Sequence, residues 1–169
     1  ALQASADFVG VAFHGMVVAD MLGGVLKLFA VVAVSLMLFY GRSYLAARGL
    51  FRGETFVLVL FALLGIMVMT ASASFLTLYL GLEIMSLSLY ALVALQRDAA
   101  APSEAAMKYF VLGALASGML LYGVSMVYGA TGSTSLLHAQ EFLSGHLLEK
   151  DGLLLAGLGL MLVGFGFKV

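Results

Sequence analysis

Few side chains in this sequence can exchange a proton away from water, and they sit in unusual places. Glu83 lies near the centre of "LYLGLEIMSLSLYALVAL", residues 78 to 95, and Lys168 is next to last in "GLGLMLVGFGFKV", residues 157 to 169. Lys108 follows Glu104 by four residues at the start of another apolar run. Carboxyl and amino groups pick up and release protons. Apolar surroundings penalise the charged form of each, so a moving neighbouring charge can switch either one. The chemistry these residues suggest is proton handling. Other chemistries find little support. The sequence has no cysteine, which excludes thiolate metal centres and disulfides. It has no glycine-rich nucleotide loop and no histidine pair within an apolar run that suits a haem. His138 and His146 are eight apart in a polar connection and, without a third ligand nearby, read as solvated rather than as a zinc site. No metal or cofactor is expected to bind this chain.

The elements that must position these residues follow from composition. Of the 169 residues, 63% are apolar and 10% charged, against roughly 45–50% and 25% in soluble domains; mean hydropathy is +1.13. This predicts an all-α integral membrane protein. A formal net charge of −1 leaves nothing to neutralise a run of phosphates and argues against a nucleic-acid partner. A bilayer core needs about 20 apolar helical residues, and five stretches qualify, at about 21–41, 55–73, 75–96, 105–129 and 152–169. Only "TASAS" separates the second from the third, so these two are expected to form a tight antiparallel hairpin. Residues 134–147 have the apolar spacing of a short amphipathic helix. Pro102 reads as a helix start, with Glu104 suited to the positive end of the helix dipole. The chain begins without methionine and ends inside an apolar run, so residues 1–169 are expected to be a single transmembrane domain cut from a longer polypeptide.

Connections differ in sign. Residues 41–54 hold Arg42, Arg48 and Arg52, and residues 96–104 hold Arg97 and lead to Lys108. Residues 130–151 hold Lys150 against Glu141, Glu149 and Asp151, and residues 1–20 hold Asp7 and Asp20 with no Lys or Arg. The positive-inside rule therefore predicts that 41–54 and 96–104 face the cytoplasm and 130–151 the opposite side.

Glu83 comes eight residues after Phe75, about 12 Å into its helix and close to the middle of the hydrocarbon. An acid at that depth costs roughly 2.5–3.5 kcal/mol on insertion scales and is a functional candidate by default; the bland alternative is a hydrogen bond that holds helices together. Spacings of three and four put Tyr79, Glu83, Ser86 and Tyr90 on one face, a thin polar stripe whose hydroxyls can donate to the carboxylate. Counting from Gly152 puts Lys168 about 24 Å into its helix, deeper than Glu83, where a snorkelling lysine is the competing reading. For Lys108 the spacing alone favours a simple ion pair with Glu104. Lys27, one turn into the first span, can snorkel outward and is assigned no role.

Three stretches together resemble a known family: "LYLGLEIMSLSLYALVAL", "SEAAMKYFVLGALASGMLLYGVSMVYGATGSTSL" from residue 103, and "GLLLAGLGLMLVGFGFKV" from residue 152. They are similar to subunit N of bacterial NADH:quinone oxidoreductase, respiratory complex I, and more distantly to its other antiporter-like subunits and to multi-subunit sodium/proton antiporters. The resemblance implies about fourteen transmembrane helices built as two inverted repeats of five, each with a broken helix. This chain then supplies most of the first repeat, with the broken helix at its C-terminal end. It also implies that Glu83 and Lys168 are the glutamate and lysine of the proton path, and it raises Lys108, with Glu104, to second-rank members. The family commonly has proline after "SL" in the glutamate helix; Ser88 stands there instead, and a serine can bond back to a carbonyl one turn earlier and bend the helix only slightly.

What the resemblance implies for function is a proton-translocating subunit in the bacterial inner membrane, partnered by other membrane subunits that include neighbouring antiporter-like ones. NADH, FMN, iron–sulfur clusters and quinone would be used in other subunits. The rival transporter reading is a subunit of a cation/proton antiporter; the rival structural reading is a scaffold whose buried charges fix helix contacts.

Overall fold

The computed structural model describes residues 10–95, 100–145 and 151–168. A short hairpin, β1 (Gly10–Ala12) and β2 (Val17–Ala19), is followed by α1 (Met21–Tyr40), α2 (Arg42–Ala47), α3 (Gly53–Thr70), α4 (Phe75–Val93), α5 (Ala100–Thr131), α6 (Leu136–Gly145) and α7 (Gly152–Lys168). A helix stands at each of the five expected stretches. Among the described residues four helices, α1, α3, α4 and α5, are long and apolar enough to cross a membrane, and α7 is a shorter apolar helix of 17 residues. α5 runs further than its apolar core predicts, because Pro102 in its first turn is compatible with a helix start and its other end continues to Thr131. Helix α5 thus takes in residues 100–104 of the expected 96–104 connection, and residues 96–99 lie outside the described residues.

Local chemistry sets the ends. Asp20 caps α1 by accepting from the Gly23 N–H at 2.8 Å, Ser74 caps α4 by accepting from Leu76 at 3.2 Å, and Asp151 caps α7 by accepting from Leu154 at 3.1 Å. Each satisfies an N–H that no helix carbonyl can reach. α2 was not expected. It occupies the Arg-rich connection and stops at Gly49, whose φ of +66° favours glycine; the Leu50 N–H then bonds back to Leu45 at 2.8 Å, a Schellman-type ending. Arg42 lies over the Phe51 ring and Arg48 over Tyr44.

The β-hairpin was not expected either. Its strands pair Gly10 with Ala19 and Ala12 with Val17, and it docks on the α3–α4 connection. Val18 N–H donates to Ala71 at 2.8 Å and Ala73 N–H to Met16 at 2.9 Å. From the other side Phe75 N–H donates to Thr134 at 2.9 Å and Leu136 N–H to Ala73 at 3.1 Å. The "TASAS" turn is thus a hub joining the hairpin, the α3–α4 pair and the start of α6. The amphipathic helix expected in 134–147 is α6, which turns Phe142 and Leu143 onto the core and leaves Leu137 exposed.

Two pairs of helices meet through glycines. Gly65 of α3 faces Gly81 of α4 so closely that a Cβ on Gly65 would stand 2.5 Å from the Met85 nitrogen and 2.6 Å from the Gly81 carbonyl oxygen. Gly123 of α5 faces Gly157 of α7 in the same way, and Gly164 lies against Ala116 and Leu120. The glycine-rich run of α7 therefore serves close approach, the usual route to helix association in lipid, and α7 is unbroken from Gly152 to Lys168. The core between α4, α5 and α7 is built on Leu82, Leu120, Val124, Val127, Leu154 and Met161.

Candidate functional site: a buried ion pair between three helices

α4 carries Glu83 and α7 carries Lys168, and the lysine Nζ donates to Glu83 Oε1 at 2.7 Å. Ser117 of α5 donates its hydroxyl to the same carboxylate oxygen at 2.6 Å, and Lys168 also donates to Ser86 Oγ at 3.1 Å. The Lys168 side chain is 5% exposed and that of Glu83 19%; Ser86 and Ser117 are buried. Each charge therefore has the other as partner and a hydroxyl besides. A buried pair of this kind contributes little net stability, because desolvation offsets the attraction, whereas removing one member leaves an exposed cost. What the arrangement can do is hold charge in an apolar bundle and let it separate, since each group keeps one hydroxyl when the other moves.

The polar stripe expected on α4 is present. Glu83 and Ser86 bind Lys168, Tyr90 one turn further on is buried with its hydroxyl set against Gly113 of α5, and Tyr79 lines a crevice with Phe75, Leu78, Leu120, Val124, Met161 and Phe165. Ser88 donates back to the Ile84 carbonyl at 2.7 Å, as expected for a serine standing where proline is common, and α4 continues through it to Val93.

Counting depth from helix starts separates Glu83 from Lys168, yet they touch. The reason lies in α5, which both neighbours share. Gly164 of α7 packs on Ala116 and Leu120, the turn of α5 that carries Ser117, so Gly164 stands level with Glu83. Lys168 is one turn beyond, and helical side chains lean back toward the N-terminus, which covers the remaining ~6 Å. The start of α7 lies further along α5, with Leu153 beside Gly129. Equal starting heights were the false assumption.

Ser117 was not singled out from sequence. The only signal was a hydroxyl within the apolar "GALASGML", and which way it faced depended on a partner helix. Glu104 and Lys108 form an ion pair with each other at 2.5 Å, with side chains 67% and 70% exposed. They do not join the Glu83 cluster: Lys108 is nine residues before Ser117, about 14 Å along α5. His138 is exposed on α6; Asp7, Arg97, His146, Glu149 and Lys150 lie outside the described residues. Among the described residues no group of three or more His, Asp or Glu side chains is placed to hold a metal ion.

Apolar spans that enclose a carboxylate–ammonium pair bracketed by hydroxyls define an integral membrane protein, and ionisable groups at such a place are the candidates for its function. The chain belongs to the NADH:quinone oxidoreductase/Mrp antiporter transmembrane family, whose model matches residues 72–169. Curated relatives carry the name NADH-quinone oxidoreductase subunit N, as the sequence resemblance implies. One from Thiobacillus denitrificans is 66% identical over 125 residues, which is 74% of this chain and 26% of the relative. One from Methylovorus glucosotrophus is 52% identical over 162 residues, 95% of this chain and 33% of the relative. The chain thus spans about a third or less of the length of these relatives. Among solved structures it is similar to a chain of respiratory complex I from Thermus thermophilus with bound aureothin, at 37% identity and a TM-score of 0.69 over 93% of this chain and 32% of that one. It is also similar to a chain of an archaeal membrane-bound sulfane sulfur reductase, a respiratory membrane complex, at 27% identity and a TM-score of 0.70 over 93% of this chain and 31% of that one.

Proposed function

We propose that the chain is most of the first inverted repeat of a proton-translocating subunit of NADH:quinone oxidoreductase, and that it moves protons through Glu83 and Lys168. The observation that carries this reading is the 2.7 Å contact between Lys168 and Glu83 in the interior of an apolar bundle, in a family whose subunit N members share about half or more of its residues. Closed, the pair holds the lysine proton. A charge arriving from a neighbouring subunit draws Glu83 or Lys168 away, and the separated lysine, no longer stabilised by the carboxylate, releases its proton to a water path. Closing reloads it. Lys108 and Glu104 serve as second-rank members toward the start of α5. Quinone reduction, with NADH, FMN and iron–sulfur clusters, belongs to other subunits of the complex, including the membrane partners that deliver the charge. In the bacterial inner membrane the Arg-rich connections 41–54 and 96–104 face the cytoplasm and 130–151 the periplasm, in line with the positive-inside rule.

The test is Glu83→Ala in the complete complex. Assembly is expected to persist while proton pumping and the quinone reductase activity coupled to it fall; full pumping by a correctly assembled variant would sink the proposal. A second reading, a subunit of a cation/proton antiporter, draws support from the family's inclusion of such antiporters. Co-purified subunits separate the two, because dehydrogenase-like partners accompany only the redox complex. A scaffold role predicts instead that Glu83→Gln alters stability and leaves proton movement unchanged.

A further inference from the structure

The connection between α1 and α3 concentrates positive charge. Arg42, Arg48 and Arg52 stand within eleven residues, with Glu54 as the one nearby acid, and all three are exposed. Among the described residues the ion pairs are Lys108 with Glu104 and Lys168 with Glu83, so no acid neutralises these guanidiniums. Two of them are nonetheless held in place. Arg42 Cζ lies 5.6 Å from the centre of the Phe51 ring, and Arg48 Cζ lies 4.7 Å from that of Tyr44, within the ~6 Å reach of a cation–π contact. A ring face answers the charge of a guanidinium but not all of its five N–H donors, which leaves donors for an acceptor beside the ring.

The backbone beneath them is fixed. Leu50 N–H closes on Leu45 and Arg52 N–H on Leu50, each at 2.8 Å, and the buried Thr55 hydroxyl donates to the Leu50 carbonyl at 2.6 Å. Phe51 also meets Phe56 of α3 edge-on at 5.2 Å. α1 ends at Tyr40 and α3 begins at Gly53, and both are long and apolar enough to cross a membrane, so the arginines lie where two spans reach the membrane surface. Phe39, Tyr40, Tyr44 and Phe51 are exposed around them, at the level where aromatic side chains meet lipid headgroups. A soluble anion would use the guanidiniums and leave the rings in water. An amphiphile with an anionic head above acyl chains matches both.

We propose that Arg42, Arg48 and Arg52 form a binding site for the phosphate headgroup of an anionic phospholipid, with Phe51 and Tyr44 holding the first two guanidiniums in position. The site is separate from the Glu83–Lys168 pair and does not rest on the translocation reading. Guanidinium donors engage phosphate oxygens in short, paired, charge-assisted hydrogen bonds, whereas an ammonium supplies only a point charge. Any basic cluster at the end of a span attracts anionic lipid. What the rings add is a preference for guanidinium over ammonium, and that preference distinguishes a built site from a charged surface.

The test places the complete complex in phosphatidylcholine vesicles that contain a photoactivatable phosphatidylglycerol as minor component, and measures the label on residues 39–52. A photoactivatable phosphatidylcholine in its place is the comparison. Phosphatidylglycerol is expected to label the segment at least about fivefold more strongly, the effect of one basic residue near an anionic surface. Excess inorganic phosphate at constant ionic strength is expected to leave that labelling unchanged. Replacing the three arginines by glutamine is expected to abolish the preference. The double variant Arg42→Lys, Arg48→Lys keeps the charge and with it the membrane orientation, so it assembles even where the glutamine variant does not. It is expected to lower phosphatidylglycerol labelling about threefold or more, through loss of the paired donors and the ring contacts. Equal labelling by the two lipids, or undiminished labelling of the lysine variant, overturns the site. Displacement of the label by inorganic phosphate assigns the arginines to a soluble anion, and crosslinking of the segment to another subunit in place of lipid assigns them to a protein interface; either result overturns the lipid.

Discussion

Lys168 and Glu83, 85 residues apart in the chain, meet at 2.7 Å between α4 and α7, and each keeps a second partner from a serine hydroxyl. That bracket determines what separating the pair costs. Breaking a buried ion pair by deleting one member commonly costs about 3–5 kcal/mol. Here the survivor retains Ser117 or Ser86, so the loss should be nearer the about 1.5–3 kcal/mol of a single hydrogen bond to a charged group.

A double-mutant cycle checks this directly. Glu83→Gln and Lys168→Met are each expected to destabilise the complex by about 1.5–3 kcal/mol, and the double variant by less than the sum, since no uncompensated charge then remains. Thermal unfolding of the purified complex gives the coupling. Strict additivity would mean that the two groups do not depend on each other.

The α3–α4 pair should be intolerant at its crossing. Gly65→Ala puts a methyl 2.5 Å from the Met85 nitrogen and is expected to cost about 1–3 kcal/mol through forced separation of the helices. Gly159→Ala on α7 meets nothing within 4 Å and should be neutral or slightly stabilising, given the higher helix propensity of alanine. Assembly yields and melting temperatures of the two variants, measured side by side, are the readout; equal behaviour would contradict the close approach at Gly65.

Lys108 offers a separation of stability from transport. Its pair with Glu104 is highly exposed and local, an i,i+4 contact of a class that contributes about 0.3–0.5 kcal/mol at most. Lys108→Ala is therefore expected to leave the melting temperature nearly unchanged while reducing proton pumping in part, less than Glu83→Ala does. Unchanged pumping would return Lys108 to the role of a simple helix-surface ion pair.

Much was legible in the sequence because the rules that govern it are local. Hydrocarbon thickness set the five apolar helices to within a few residues at most ends, the i,i+3 and i,i+4 spacing put Glu83, Ser86 and Tyr90 on one face, and Ser88 found the Ile84 carbonyl one turn back. The hairpin at Gly10–Ala19 and the helix at Arg42–Ala47 were not legible in the same way, since both are short and the hairpin is held by backbone bonds to a distant turn.

The sequence by itself determined that an acid and a base would lie within apolar helices, and a resemblance named them as a pair. Only the tertiary structure decided that they touch, that Ser117 joins them, and that Gly113 admits the Tyr90 hydroxyl. Spans that are apolar on nearly every side carry no pattern that fixes how one helix rotates or slides against another. Those offsets are set by where backbones can approach, at Gly65 with Gly81 and at Gly123 with Gly157, and it is these contacts that bring Lys168 back to the level of Glu83.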